Sequence, residues 1–206
     1  MPHISVVIPV YKAEGCLQEL YRRLIPSLET ITHDYEVVLV EDFGKDRSWE
    51  MICRFAKEDA RIKGLQLSRN FGQHYAITAG LECASGDWIV VMDCDLQDLP
   101  EEIINLYNKA QEGYDIILAK RVERNDGLFK KIGSKMFYKL FSYLTDTQQD
   151  ISVANFGIYN KVVIDSIKKM NDACFNHSRA PSPHSLSLAV RPCYATDTKH
   201  CQCRVV

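Results

Sequence analysis

The feature that most limits what this chain can fold into is a switch of hydrophobic period, repeated through its first 120 residues. Short runs rich in Val and Ile fall at 4–10, 35–41, 62–67, 87–92 and 114–119. The second, Tyr35-Glu36-Val37-Val38-Leu39-Val40, is nearly unbroken apolar sequence, as expected of a strand covered on both faces. Between the first two runs, Leu17, Leu20, Tyr21, Leu24 and Leu28 recur every three or four residues and make one apolar helix face. Segment 46–59 repeats this with Trp49, Ile52, Cys53 and Ala56, and Pro100-Glu101-Glu102 has the form of a helix start. Such alternation predicts an α/β fold, a mostly parallel central sheet with helices on both faces. Ligands of such sheets bind at the carboxyl ends of the strands, so a motif gains meaning if it falls there.

Composition narrows the classes. The chain has 206 residues, 46% hydrophobic, with a formal charge of -2. That is enough to bury a core and provides no electrostatic footprint for a nucleic acid. No signal-peptide pattern precedes the first strand, and no apolar run approaches the roughly 18 residues that cross a bilayer. A cytoplasmic location is therefore expected. Cys16, Cys53, Cys83 and Cys94 sit singly in or beside helices and strands, so they read as buried free thiols. In segment 128–144, Phe129, Ile132, Met136, Phe137, Leu140, Phe141 and Leu144 alternate with Lys130, Lys131, Lys135 and Lys139. A helix of that pattern packs on its own domain or lies peripherally on an anionic membrane face, and packing is favoured. The last 33 residues hold one acid, Asp197, against 26 in the preceding 173, together with three prolines, three histidines and four cysteines. Residues 1–173 are thus expected to form the folded domain and 174–206 a disordered tail that the domain does not need.

Four motifs close the expected strands. Pro9 ends the first ladder, and Tyr11 is able to cover a flat base. After the second strand, Asp42 reads as an acceptor for base or ribose donors, whereas Asp46 and Ser48 read as ordinary turn and cap residues. Ser68-Arg69-Asn70-Phe71-Gly72 leads into a helix in which Ala76, Ala79 and Gly80 suit close packing on the sheet. The fourth motif, Asp93-Cys94-Asp95-Leu96-Gln97-Asp98, is the most specific. Two acids one residue apart at the end of a buried strand repel each other and are costly to desolvate unless a cation joins them. Mg²⁺ or Mn²⁺, which take oxygen ligands and share them with phosphates, fit that requirement.

Together these pieces resemble the family 2 glycosyltransferases of the GT-A fold. Within that family the dolichol-phosphate-mannose-synthase-like and bacterial polyprenyl-phosphate enzymes are the most similar. The resemblance rests on Pro9-x-Tyr11-x-x-Glu14, Glu41-Asp42, Arg69-Asn70-x-Gly72 and Asp93-x-Asp95-Leu96-Gln97-Asp98-x-Pro100-Glu101. Lys120-Arg121-Val122-Glu123-Arg124 and the segment from Asp150 to Gly157 extend it. It implies that Pro9, Tyr11, Glu14, Asp42, Asp93, Cys94, Asp95 and Gln97 bind a UDP- or GDP-sugar, with Asp95 and Asp93 at the metal. It also implies that Arg121 and Arg124 engage phosphates and that Asp150 lies beside the acceptor. The implied reaction is inverting sugar transfer to a polyprenyl phosphate in cell-envelope synthesis, at the inner membrane face. A saccharide acceptor in polysaccharide assembly, or a truncated nucleotide-binding module without turnover, are the alternatives.

Overall fold

The computed structural model describes residues 3–120, 153–177 and 190–193. Its centre is β1 (Ile4–Val10), all seven residues of which are buried. β1 pairs in parallel with β2 (Tyr35–Glu41) on one side and β4 (Trp88–Val91) on the other. β3 (Ile62–Leu67) extends the parallel set beyond β2. β5 (Ile116–Lys120), β6 (Val153–Asn160) and β7 (Val190–Cys193) complete a seven-stranded sheet in the order β5-β6-β4-β1-β2-β3-β7, with β6 and β7 antiparallel to their neighbours. The expected mostly parallel α/β sheet is thus what forms.

Each face of the sheet has its own core. On one, Ile4, Val6, Ile8 and Val10 meet Val37, Leu39, Val90 and Met92 under α1 (Leu17–Glu29), α2 (Ser48–Glu58) and α4 (Ile103–Ala110). α1 contributes Leu17, Leu20, Leu24 and Leu28, the stripe visible in the sequence, each worth roughly 2 kcal/mol on burial. On the other face, Val7, Val38, Val40, Leu65, Leu67 and Ile89 pack under Ala76 and Ala79 of α3 (Gln73–Cys83) and Ile164 of α5 (Lys161–His177). α3 comes so near that a Cβ on Gly80 would lie 2.4 Å from Val7 Cγ1 and 3.1 Å from Val40 Cγ2. The small residues of this helix therefore do the packing their sequence suggests.

Several boundaries differ from the sequence reading. Asp46 lies before α2, because its carboxylate accepts both the N–H and the hydroxyl of Ser48. Tyr114 is exposed and precedes β5, whose side of the ladder opens with the Asn160 N–H donating to the Asp115 carbonyl. Cys16, Cys53 and Cys94 are half-buried free thiols, while Cys83 is exposed at the end of α3 rather than buried. α5 crosses the expected boundary at 173 and runs to His177. Val190–Cys193, within the segment expected to be a tail, pairs antiparallel with β3 from Gly64 to Leu67. The basic amphipathic segment 128–144 lies outside the described residues. Among the described residues, no helix is long and apolar enough to cross a membrane.

At the amino edge of the sheet a buried acid joins four segments. Glu36 accepts hydrogen bonds from the hydroxyls of Ser5 (2.5 Å) and Ser85 (2.9 Å), the Ser85 N–H (2.7 Å) and Lys63 Nζ. Burial alone raises its pKa, but the bonds from Lys63, Ser5 and Ser85 outweigh burial and bring it to about 2. A group held below its unfolded value stabilises the fold above that value, near 4.5, and loses its contribution as pH falls toward 2. Acid unfolding should accordingly show a steep limb between those limits, and Glu36→Gln should lower stability at pH 7 and flatten the limb in a pH series of urea melts. Gly80→Ala should cost about 1–3 kcal/mol in the same assay at pH 7, since the stiff Val7 side chain has to move.

Candidate functional site

Parallel strands deliver their carboxyl ends to one edge, and there the described residues form a cleft of about 330 Å³. Its lining comes from the ends of β1 (Pro9, Val10, Tyr11), β2 (Asp42) and β4 (Asp93, Cys94, Asp95), from Asn70 and Gly72 between β3 and α3, and from Gln73 at the start of α3. Local sequence explains why these residues collect. The carbonyl of Val10 accepts from Asp42 N on the β2 side, and that of Val7 accepts from Met92 N on the β4 side. Strand polarity alternates residue by residue, so the missing N–H of Pro9 faces the β4 side, where the ladder has already ended at Val7 and Val91. Proline therefore costs nothing there and releases the chain toward the cleft.

The loops at this edge are tight. Lys12, Phe43, Lys45 and Leu96 all take positive φ, between 51° and 61°, a region costly for side chains of this kind. Leu96 turns the chain so that Asp95 Oδ1 accepts the Gln97 N–H at 3.0 Å. Asp42 is buried, and its two oxygens accept the N–H groups of Phe71 (2.7 Å) and Gly72 (2.9 Å). It was expected to serve a ligand rather than the fold, yet it also ties β2 to the loop before α3. Gln73 Nε2 donates to Asp93 Oδ1 at 2.6 Å. Burial, with the neighbouring Cys16 thiol and the flanking acids adding to it, pushes the Cys94 thiol up to about 11. The thiol between the acids is thus protonated at neutral pH, and the cleft offers a cation oxygen atoms.

The fold brings together Pro9, Tyr11, Asp42, Asp93, Cys94 and Asp95 from the sequence candidates. Glu14 is elsewhere: it lines a separate shallow cleft with Arg47 and Arg54, and its carboxylate accepts the Arg47 N–H at 3.0 Å. Asp46 returns the bond by accepting the Glu14 N–H at 3.1 Å, so this pair braces the β1–α1 and β2–α2 loops. Gln97 is exposed and outside the cleft lining; its backbone, as described, orients Asp95. Arg121, Arg124 and Asp150 lie outside the described residues. Asn70 entered the sequence reading only within the Arg69-Asn70-x-Gly72 motif, and Gln73 was not among the candidates, although its place just after a strand end was a signal for it. Among the described residues, no three or more His, Cys, Asp or Glu side chains group into a metal cage. Two acids in an open cleft nevertheless suit Mg²⁺ or Mn²⁺, which completes its shell with water and substrate phosphate.

An open, mostly parallel sheet with an acid pair at the end of its fourth strand is the arrangement of the GT-A glycosyltransferases. The particular family is glycosyl transferase family 2, to which this chain belongs: that family's profile matches residues 5–168. An uncharacterized glycosyltransferase, YkcC of Bacillus subtilis (strain 168), is 40% identical over 169 residues, which span 82% of this chain and 52% of the relative. The chain thus spans about half the length of that protein. Among solved structures, the mannosyltransferase PcManGT from Pyrobaculum calidifontis, in complex with GDP-Man and Mn²⁺, superposes with a TM-score of 0.57. It is 16% identical, over 81% of this chain and 46% of its own. TarS 1-349 of S. aureus with UDP-GlcNAc gives 0.55 at 20% identity over 82% and 48% of the two chains. Glucosyl-3-phosphoglycerate synthase from Mycobacterium tuberculosis, with Mn²⁺ and UDP-Glc, gives 0.54 at 17% identity over 77% and 56%.

The Asp42 geometry sets an expected outcome. Asp42→Ala leaves two backbone N–H groups without their carboxylate and should lower the stability of the ligand-free protein by about 2 kcal/mol. Chemical denaturation measures this, and an unchanged midpoint would mean that the loop before α3 is held by other contacts.

Proposed function

We propose that this chain moves a sugar from a nucleoside-diphosphate donor to a polyprenyl phosphate, with inversion at the anomeric carbon. The observation that carries the donor half is the gathering of Tyr11, Asp42, Asp93 and Asp95 in one cleft at the carboxyl edge of the sheet. Tyr11, 47% exposed at its mouth, offers a face to a flat base, with Pro9 beneath the same wall. Asp42 takes hydrogen bonds from base or ribose in addition to those of its loop. Asp95 and Asp93 would hold Mg²⁺ or Mn²⁺, and the ion supplies charge neutralisation for the departing nucleoside diphosphate. Complexes of two structural neighbours with Mn²⁺ and a sugar nucleotide support the same choice of ion and donor class.

On the acceptor side, a phosphate oxygen is already a nucleophile and needs no strong base. It forms the bond to the anomeric carbon as the bond to the diphosphate breaks on the opposite face, which inverts the centre. Arg121 and Arg124 engage the phosphates and Asp150 orients the acceptor. The lysine-interleaved apolar segment 128–144 and the family resemblance support a lipid carrier over a free saccharide.

The experiment has two arms. The thermal midpoint is read with UDP-Glc, UDP-GlcNAc and GDP-Man, with and without Mn²⁺, since a ligand that binds only the native state raises it. The preferred donor is then incubated with polyprenyl phosphate in detergent or with an oligosaccharide, and the sugar is followed into each. A cation-dependent rise and transfer to the lipid are the expected results; transfer to the saccharide alone would overturn the acceptor. Asp95→Asn should weaken Mn²⁺-dependent nucleotide binding at least about tenfold, roughly 1.4 kcal/mol. A folded variant with undiminished metal-dependent affinity would remove Asp95 from the ion.

A further inference from the structure

Gln73 opens α3, directly after Gly72, whose φ of 97° lets the chain turn into the helix without a side-chain cap. The position of this first turn is set from two directions. Behind it, Gly80 seats the helix against Val7 and Val40. Ahead of it, Asp42 holds the N–H groups of Phe71 and Gly72. From that anchored start the Gln73 side chain crosses the cleft and donates to Asp93 Oδ1 at 2.6 Å. Gln73 and Asp93 are 20 residues apart in sequence, and both line the cleft.

The chemistry of the bond matters as much as its length. Asp93 shares the cleft with Asp95 and Asp42, so an unrestrained carboxylate there turns away from its like-charged neighbours. A carboxamide N–H restrains one oxygen while adding no charge. It also leaves that oxygen capable of a second interaction, since a carboxylate oxygen has two lone pairs. We propose that Gln73 is a positioning residue for the cation: it holds Asp93 in the orientation from which it joins Asp95 on a divalent ion. This rests on the reading of Asp93 and Asp95 as the ion's ligands. Partners that orient metal ligands commonly contribute tenfold or more to affinity, because the ligand is then fixed before the ion arrives.

Gln73→Met tests this with a side chain of similar length, high helix propensity and no donor. UDP and GDP affinities are measured by calorimetry with and without Mn²⁺, and the ratio gives the metal-dependent gain. Gln73→Met should reduce that gain about tenfold while leaving the metal-free affinity and the thermal midpoint of the ligand-free protein in place. The same substitution in an Asp93→Asn background should change the ratio no further, because Gln73 acts through Asp93. An additive loss in the double variant would mean that Gln73 touches the nucleotide itself, and a fallen ligand-free midpoint with an unaltered ratio would mean that it serves the fold. Either result overturns the inference, as does a Gln73→Met protein with the wild-type ratio. A wild-type protein whose nucleotide affinity ignores Mn²⁺ overturns the underlying reading of the acids, and this inference with it.

Discussion

The pairing of β1 with a parallel strand on each side is the constraint on which the rest depends. Both faces of β1 are covered, so water cannot satisfy its backbone, and β2 must do so along its length and β4 from Ile4 to Val7. Parallel pairing in turn demands that each connection cross back over the sheet, which puts α1 and α2 on one face and α3 on the other. It also sends the ends of β1, β2, β3 and β4 to a common edge. The cleft is a consequence of that polarity. Residues far apart in the chain meet there because their strands point the same way.

The two edges of the sheet treat their acids in opposite ways. At the amino edge, Glu36 is enclosed by Ser5, Ser85 and Lys63, and its charge is answered within the protein. At the carboxyl edge, Asp93 accepts from the Gln73 amide and Asp95 from the backbone N–H of Gln97. The first arrangement closes a structure. The second lies in an open cleft, where loops with strained residues fix the place of the acids.

The strands were legible because burial on both faces writes a continuous apolar run into the sequence, as in Val37-Val38-Leu39-Val40. The leucine stripe of α1 and the small residues of α3 were legible for the same reason: each records a packing surface. The acid pair could be read because its cost is intelligible without coordinates. Other features are tertiary and leave no local mark. Nothing near Gln73 in sequence announces that its amide reaches Asp93. Glu14 has the position of a ligand-binding residue and is occupied as a brace between two loops, an exchange visible only once Arg47 and Asp46 stand beside it. Asp42 holds the loop before α3, and spacing cannot separate such a carboxylate from one that awaits a base.

Gly80 has a mechanical consequence. A helix whose backbone rests on two valines cannot roll or slide without first lifting off the sheet, so α3 behaves as a rigid beam. The few residues between the end of β3 and Gln73 are tied in turn by Asp42, which holds the N–H groups of Phe71 and Gly72. Among the described residues, the wall that α3 gives the cleft therefore belongs to the fixed frame of sheet and helix.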